Sequence, residues 1–478
     1  MTIDSDWLRI AKQGCPHAFT ANHPFPGGTV FIDGQIRLMK PDYIKTWDLF
    51  VRKQFIEVID RWFATGAHMV VLGFDDYENV PEAKHMTQRK RSHHVPALSF
   101  EAHSDLPPII PEQWSSAMRN RAFKTKVVSL VCAYVRDAYK TRSAGTVVID
   151  HARRVEVLGG EADLPPELAS ETPPGRGECD IKGFMYMRDH TGELSKSQLT
   201  LASTDGDFLP IALLQLERVQ AAAAPIVLYR MRTSLPTDTD ADKRQRFEYV
   251  HVQPVYAWLR SQMARVPRPA AHFAAMVACT GCDFAQNLPL IGPTRLWKIR
   301  NRFDKFDTSC PTGVLAVLYT AYLYLFENKT TLSSSNTRIP DAVLHPENAA
   351  DPAGLEQLSA LFGDLMQAVA RNTRVADRSK KALWTSSRAV AHAQNCHWTT
   401  LYWMLLHDCP DPLSGGFGFH RVGTSVEFCA DAAAPPGGSD LEKSNPACLA
   451  TANAQVATES CSSFSIFSCK PSYLVCNS

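Results

Sequence analysis

Several apolar runs of this chain end on acids. TVFIDG stops at Asp33, MVVLGFDD at Asp75 and Asp76, TVVIDH at Asp150, and LTLASTDGD at Asp205 and Asp207. GECD adds Glu178 and Asp180, two residues apart, and TGCDFAQNLPLIGPTRLW adds Asp283. Carboxylates gathered in one place repel one another unless a cation neutralises them. Hard divalent cations take oxygen ligands, so the residue types point to a divalent-metal site.

The elements that would gather these acids can be read from periodicity. Apolar runs of strand length with helical pattern between them predict an α/β fold with a buried, mostly parallel sheet flanked by helices. In such a sheet the functional crevice lies beyond the carboxyl ends of the strands, where dispersed aspartates would meet. Between the first two runs, Ile44 to Phe63 places Trp47, Val51, Phe55, Val58, Ile59 and Trp62 on one helical face, with Gly66 as the stop. Residues 29–76 therefore read as a βαβ unit. Residues 77–112 read as a polar loop or lid, and Trp114 to Tyr139 as one long helix with Arg119, Arg121, Lys124 and Lys126 in its early part. IKGFMYMRDH begins a short helix, residues 208–218 another, and PIVLYRM (225–231) a further strand.

The charged segment 235–250 reads as a connector to a helical half. That half spans Val255–Met263, Ala270–Cys279, Thr294–Phe303, 313–326, Gly354–Ala370 and Ala391–His407. From about 411, Gly, Ser, Ala, Pro and Cys dominate without periodicity, the pattern of a disordered tail.

Bulk properties narrow the classes. A chain of 478 residues exceeds one typical domain, and 45% hydrophobic with 21% charged residues is globular composition. A formal net charge of +1 means that any affinity for nucleic acid must come from local basic patches. The longest strongly apolar run, Gly313 to Phe326, suits a buried helix rather than a membrane span. The start, MTIDSDWLRIAKQG, lacks a signal-peptide layout, and the thirteen cysteines show no paired framework. The expected location is intracellular, in the nucleus or cytoplasm. Cys279 and Cys282 form a C-x2-C, but no second pair follows at zinc-like spacing, so the sequence does not predict zinc.

Taken in order, IDG, FDD, GECD, TDGD and the GCDF…PLIGP turn resemble the flap endonuclease/XPG family of metal-dependent nucleases, over residues 29 to about 305. The resemblance implies a PIN-like core. Its site would be Asp33, Asp75, Glu178, Asp180, Asp205, Asp207 and Asp283 around two Mg²⁺ or Mn²⁺ ions. Glu178, Asp180 and Asp205 would bind the central ion, Asp207 and Asp283 its neighbour, and Asp33 and Asp75 hydrated metal. Lys84, Arg89 and Arg91, beside Lys90, would contact the scissile phosphate. LIGPTRLW would be the family's helix–two-turn–helix, gripping duplex phosphates through Gly292, Thr294 and Arg295, with a K⁺ bound there.

The implied function is structure-specific hydrolysis of DNA or RNA near 5′ ends, nicks or branches. The alternative is a non-catalytic nucleic-acid-binding or scaffold protein on the same fold. GGEAD, with Glu161 and Asp163, rivals 178 and 180 for the acid pair; the latter are preferred because IKGFMYM continues a helix and LPPE breaks one. Asp76 stands where the family has glycine, Met39 where it has an aromatic, and no clamp-binding motif is present. Asp150 matches no family ligand and reads as a strand-end turn residue. The division expected is an N-terminal extension (1–28), a nuclease core (29–245) with an arch insertion at about 77–140, a helix–two-turn–helix region (246–330), a helical extension (331–410) and the tail (411–478).

Overall fold

A computed structural model describes residues 3–428 apart from 23–26, 77–99, 102–103, 143–144, 152–153, 161–163, 165–167, 169–176, 188–196, 220–223, 233–234, 236–237, 240–245, 283–284, 286–287, 327–338, 340–351, 373–374, 376–378, 380–382, 407–408, 414–416 and 423–424. The fold is α/β, a sheet of eight strands flanked by helices. The strands are β1 (Phe19–Thr20), β2 (Thr29–Asp33), β3 (Met69–Gly73), β4 (Thr146–His151), β5 (Arg154–Leu158), β6 (Leu199–Ala202), β7 (Ile226–Met231) and β8 (Phe247–His251), in the order β1-β8-β7-β6-β2-β3-β4-β5. The central strands β7-β6-β2-β3-β4 are parallel, and β1, β8 and β5 add antiparallel edges.

Every residue of β2 and β3 is buried, which is why these strands read as unbroken apolar runs. Side chains alternate between two cores. Val30, Ile32, Val70, Leu72, Val147 and Ile149 pack on one face with the helical segment 47–64 and the helix Arg121–Tyr139. Phe31, Met69, Val71, Val148, Leu199 and Leu201 pack on the other, under Cys179–Met185, Phe208–Val219 and the later helices through Ser386–Leu405. The expected helix from Ile44 forms as Trp47–Val51, a π turn at Arg52–Ile56 and Glu57–Ala64. It stops at Gly66, whose φ of 96° places it in the left-handed region that favours glycine.

Five expectations are corrected. Within the expected N-terminal extension, the helix Ile3–Gly14 buries Trp7 and Leu8 in the core, and β1 pairs with β8 at Phe19↔Val250, so these elements are part of the fold. The long helix from Trp114 breaks into Trp114–Ala117 and Arg121–Tyr139, because the Asn120 side chain caps the second helix by accepting the Phe123 N–H at 3.0 Å. The connector 235–250 contributes β8. The helix expected over Thr294–Phe303 ends at Lys298 and continues as a 3₁₀ turn, Arg300–Arg302. The expected tail opens with a hairpin, β9 (Phe419–Val422) and β10 (Ser425–Phe428), anchored by Phe419 edge-on to Trp398 with ring centroids 5.4 Å apart. No helix of the described residues is long and apolar enough to cross a membrane.

Candidate metal centre

Sheet register brings the strand-end aspartates to one edge. Asp33, the last residue of β2, lies opposite Gly73 of β3, and Gly73 lies opposite Asp150 of β4. Two residues beyond Gly73 comes Asp75. On the other side of β2, Ile32 pairs with Ala202, and Asp205 follows three residues after the end of β6. Parallel strands with short extensions are thus sufficient to converge acids separated by 172 positions in the chain.

Ser203 ties two of them together. Its hydroxyl donates to Asp33 Oδ2 at 3.1 Å and accepts the backbone N–H of Asp205 at 3.1 Å. The other Asp33 oxygen accepts the Gln35 N–H at 2.9 Å, capping the short helix Gly34–Arg37. Asp205 in turn accepts the Asp207 N–H at 3.1 Å, at the entry to the helix Phe208–Val219. Asp205 faces solvent, whereas Asp207 and Asp33 are buried. Burial, then the charges of Asp75 and Asp205, push the Asp33 carboxyl up to about 7.

The helix Cys179–Met185 delivers the acid pair from the side. Its N-cap residue is Glu178, and Asp180 lies in its first turn; both are buried. The Cys179 N–H donates to Asp75 Oδ1 at 3.0 Å, which fixes the start of this helix against the end of β3. The Asp76 N–H donates to the Gly177 carbonyl, a second stitch at the same place. Asp76 itself is buried and adds a second carboxylate beside Asp75. Burial, then Asp33 and Asp75, push the Cys179 thiol well up, which locates Cys179 inside the same negative field.

Asp150 belongs to a different arrangement at the same edge. It is fully buried, paired with Lys182 Nζ at 3.1 Å, and accepts the Tyr186 hydroxyl at 3.1 Å. Lys182 also donates to the Phe74 carbonyl at 2.6 Å, immediately before Asp75. The expected turn role of Asp150 is replaced by a buried ion pair that locks the helix carrying Asp180 onto β3 and β4. Sequence reading missed Lys182, since a lysine two residues after an aspartate looks like a solvent-facing position. A signal was available: Ile181, Phe184 and Met185 surround it with apolar side chains on every side of the turn.

The rival pair Glu161 and Asp163 lies outside the described residues. The strand before it is informative. β5 runs antiparallel to β4 and ends with Leu158 opposite Val147, so the chain leaves β5 at the edge away from Asp33 and Asp150. Asp283, Lys84, Arg89, Lys90 and Arg91 also lie outside the described residues. Gly292 and Thr294 are exposed at the start of the helix Pro293–Lys298, and Arg295, also exposed, donates to the Leu290 carbonyl at 2.8 Å. Trp297 packs with Trp258, ring centroids 5.2 Å apart, and Arg300 lies over its face at 4.4 Å.

The donor set consists of hard oxygen ligands in a partly buried pocket, and the buried ammonium of Lys182 is engaged by Asp150 and Phe74. That chemistry fits hard divalent cations.

No protein-family model matches this chain, and no curated protein matches it. The solved structures similar to it include two nucleic-acid or metal complexes. One is the catalytic core of Rad2 in complex with DNA substrate, at 11% identity and a TM-score of 0.32, covering 74% of this chain and 94% of that one. The other is the T5 D15 protein co-crystallised with metal ions, at 11% identity and a TM-score of 0.29, covering 77% of this chain and 99% of that one. Likenesses of this size leave the assignment to the residues of the chain itself.

Proposed function

We propose that this protein is a divalent-metal-dependent nuclease that hydrolyses phosphodiester bonds in DNA or RNA near 5′ ends, nicks or branches. The observation that carries the reading is the meeting of Asp33, Asp75 and Asp205 at one sheet edge, where Ser203 bridges Asp33 to Asp205 and where burial, and then the charges of Asp75 and Asp205, hold the Asp33 carboxyl at about 7. Groups kept this unfavourably together in a folded protein are the mark of a site built for a cation or for chemistry.

Asp33, Asp75, Glu178, Asp180, Asp205 and Asp207 would hold two ions, with Asp283 completing the set. When bound, a pair of Mg²⁺ or Mn²⁺ ions supplies an activated water and neutralises charge on the leaving oxygen. The protein's own contribution is positional. Ser203 fixes the spacing of Asp33 and Asp205, and the Cys179 N–H orients the Asp75 carboxylate. Asp205, the exposed member, meets incoming substrate first. Gly292, Thr294 and Arg295 offer exposed backbone and a guanidinium to duplex phosphates, with K⁺ there as part of the same proposal. Lys84, Arg89 and Arg91 would contact the phosphate being cut. Eight free cysteines among the described residues suit a reducing compartment, in keeping with a nuclear or cytoplasmic location.

The test is a cleavage assay on end-labelled flap, nicked and linear substrates, with Mg²⁺, with Mn²⁺ and with EDTA. Metal-dependent products that vanish in Asp205→Asn are expected. Tight binding that ignores EDTA, with no cleavage on any substrate, would replace the nuclease by a nucleic-acid-binding scaffold.

A further inference from the structure

The C-x2-C that finds no partner in the sequence finds one in space. Cys279 lies in the last turn of the helix Pro269–Thr280, and Cys282 follows the turn at Gly281. His392 and Cys396 sit four residues apart in the helix Ser386–Leu405, so their side chains share one face. The two helices pack so that Cys279 Sγ, Cys396 Sγ and a ring nitrogen of His392 all lie within 4.8 Å of one another, each residue buried. Cys396 Sγ stands 3.4 Å from His392 Nε2. The same His392 nitrogen stands 3.2 Å from the Cys279 carbonyl oxygen, and Cys282, half-buried, follows three residues after Cys279.

We propose that Cys279, His392 and Cys396 hold a zinc ion, with Cys282, just beyond the turn at Gly281, drawn in as the fourth ligand of a structural Cys₃His site. Ligand atoms at the corners of a tetrahedron with Zn–S of about 2.3 Å stand about 3.8 Å apart, and the three buried groups already lie within 4.8 Å of one another. The pattern C-x2-C…H-x3-C also has the local spacing such sites use: a tight turn for the first pair and one helical turn for the second. Gly281, between Cys279 and Cys282, has φ 109°, in the left-handed region that favours glycine. The Cys282 N–H is fixed by the Ala285 carbonyl at 3.1 Å.

Around the site, Trp384 packs edge-on against the His392 ring at 4.7 Å, which limits its rotation. Two of the eight described free cysteines meet here although they come from distant segments of the chain. Four protein ligands leave no open position, so the role is structural. The metal would staple the helix Pro269–Thr280 to Ser386–Leu405, at the turn that the sequence continues directly into Asp283. It does not depend on the nuclease reading, because soft thiolates select zinc while the carboxylate edge selects hard cations.

The experiment is metal analysis of the full chain purified without chelators, followed by X-ray absorption at the zinc edge. About one zinc per chain is expected, surviving the EDTA treatment that strips Mg²⁺, with sulfur neighbours at about 2.3 Å and nitrogen at about 2.0 Å. Cobalt-loaded protein should show thiolate-to-metal charge transfer. Cys282→Ser, at the half-buried position, should weaken retention and alter that spectrum, whereas Cys310→Ser, outside the cluster, should change neither. Because the absorption measurements are made on the unaltered chain, they stand even if a variant does not fold. No zinc or cobalt taken up, a first shell of oxygen only, or a Cys279–Cys396 disulfide found by mass mapping would each overturn the proposal.

Discussion

Lys182 reaches the carboxylate of Asp150 at 3.1 Å with both side chains wholly excluded from solvent. The pair sets where the aspartates proposed to bind metal stand, because the same ammonium holds the Phe74 carbonyl next to Asp75. Removing the lysine leaves a buried carboxylate uncompensated. Lys182→Met should cost about 3–5 kcal/mol in urea unfolding, while Lys182→Met combined with Asp150→Leu should recover most of it. A single variant as stable as the parent would show that the pair contributes no net stability.

Asp33 predicts a pH dependence with a definite sign. Its carboxyl sits at about 7 in the folded chain against 3.8 as the reference, chiefly through burial and then through Asp75 and Asp205. Between those values the folded state keeps a proton that the unfolded chain has lost, so its contribution to stability falls as pH rises through that window. Without divalent metal, ionised Asp33 at pH 8 costs on the order of 4 kcal/mol. Asp33→Asn, which can still cap the following helix, should raise the melting temperature in EDTA at pH 8 and change it little near pH 4. A rise of equal size at both pH values would mean that charge is not the cause.

Metal affinity should follow the same proton. Because a cation must displace it, the Mg²⁺ concentration for half-maximal stabilisation of the parent should climb as pH falls below about 7. Thermal shift titrations at several pH values measure this directly, and a flat profile between pH 6 and pH 8 would remove Asp33 from the binding set.

Ser203 separates positioning from ligation. Ser203→Ala loses the bonds to both Asp33 and Asp205 while leaving every carboxylate in place. Divalent-metal affinity should drop by about 10–100-fold, with cleavage restored at high metal concentration. Asp205→Asn should show no such rescue.

The first helix offers a test of the architecture alone. Trp7 is buried, donates its indole N–H to Thr280 Oγ1 at 2.8 Å and packs edge-on against Phe273 at 5.2 Å. Trp7→Ala should cost about 3–5 kcal/mol. A variant with unchanged unfolding would restore the reading of residues 1–28 as an appendage.

What the sequence made legible follows from burial. β2, β3, β4, β6 and β7 are covered on both faces and carry near-continuous apolar side chains, so their carboxyl ends, and the acids there, could be found by pattern. β5 and β8 escaped notice because RVEVL and FEYVH are edge strands with exposed and half-buried positions, and their charges mimic a connector. The preference for Glu178 and Asp180 over Glu161 and Asp163 came from helix-breaking prolines. Lys182, Ser203 and the meeting of Cys279 with Cys396 were invisible for one cause: each depends on which side chain lies across the sheet or between helices, and spacing along the chain carries no trace of that.

The bond between Trp7 and Thr280 spans 273 positions, and among the described residues β1 pairs with β8 alone. During synthesis the segment around Trp7 must therefore wait, its apolar face uncovered, while the ribosome makes the rest of the sheet. Closing so long a loop is slow, and it exposes the nascent chain to aggregation for that whole interval. A protein arranged this way would draw on chaperones that shield early apolar segments, and its yield in a foreign host should rise when translation is slowed or the temperature lowered.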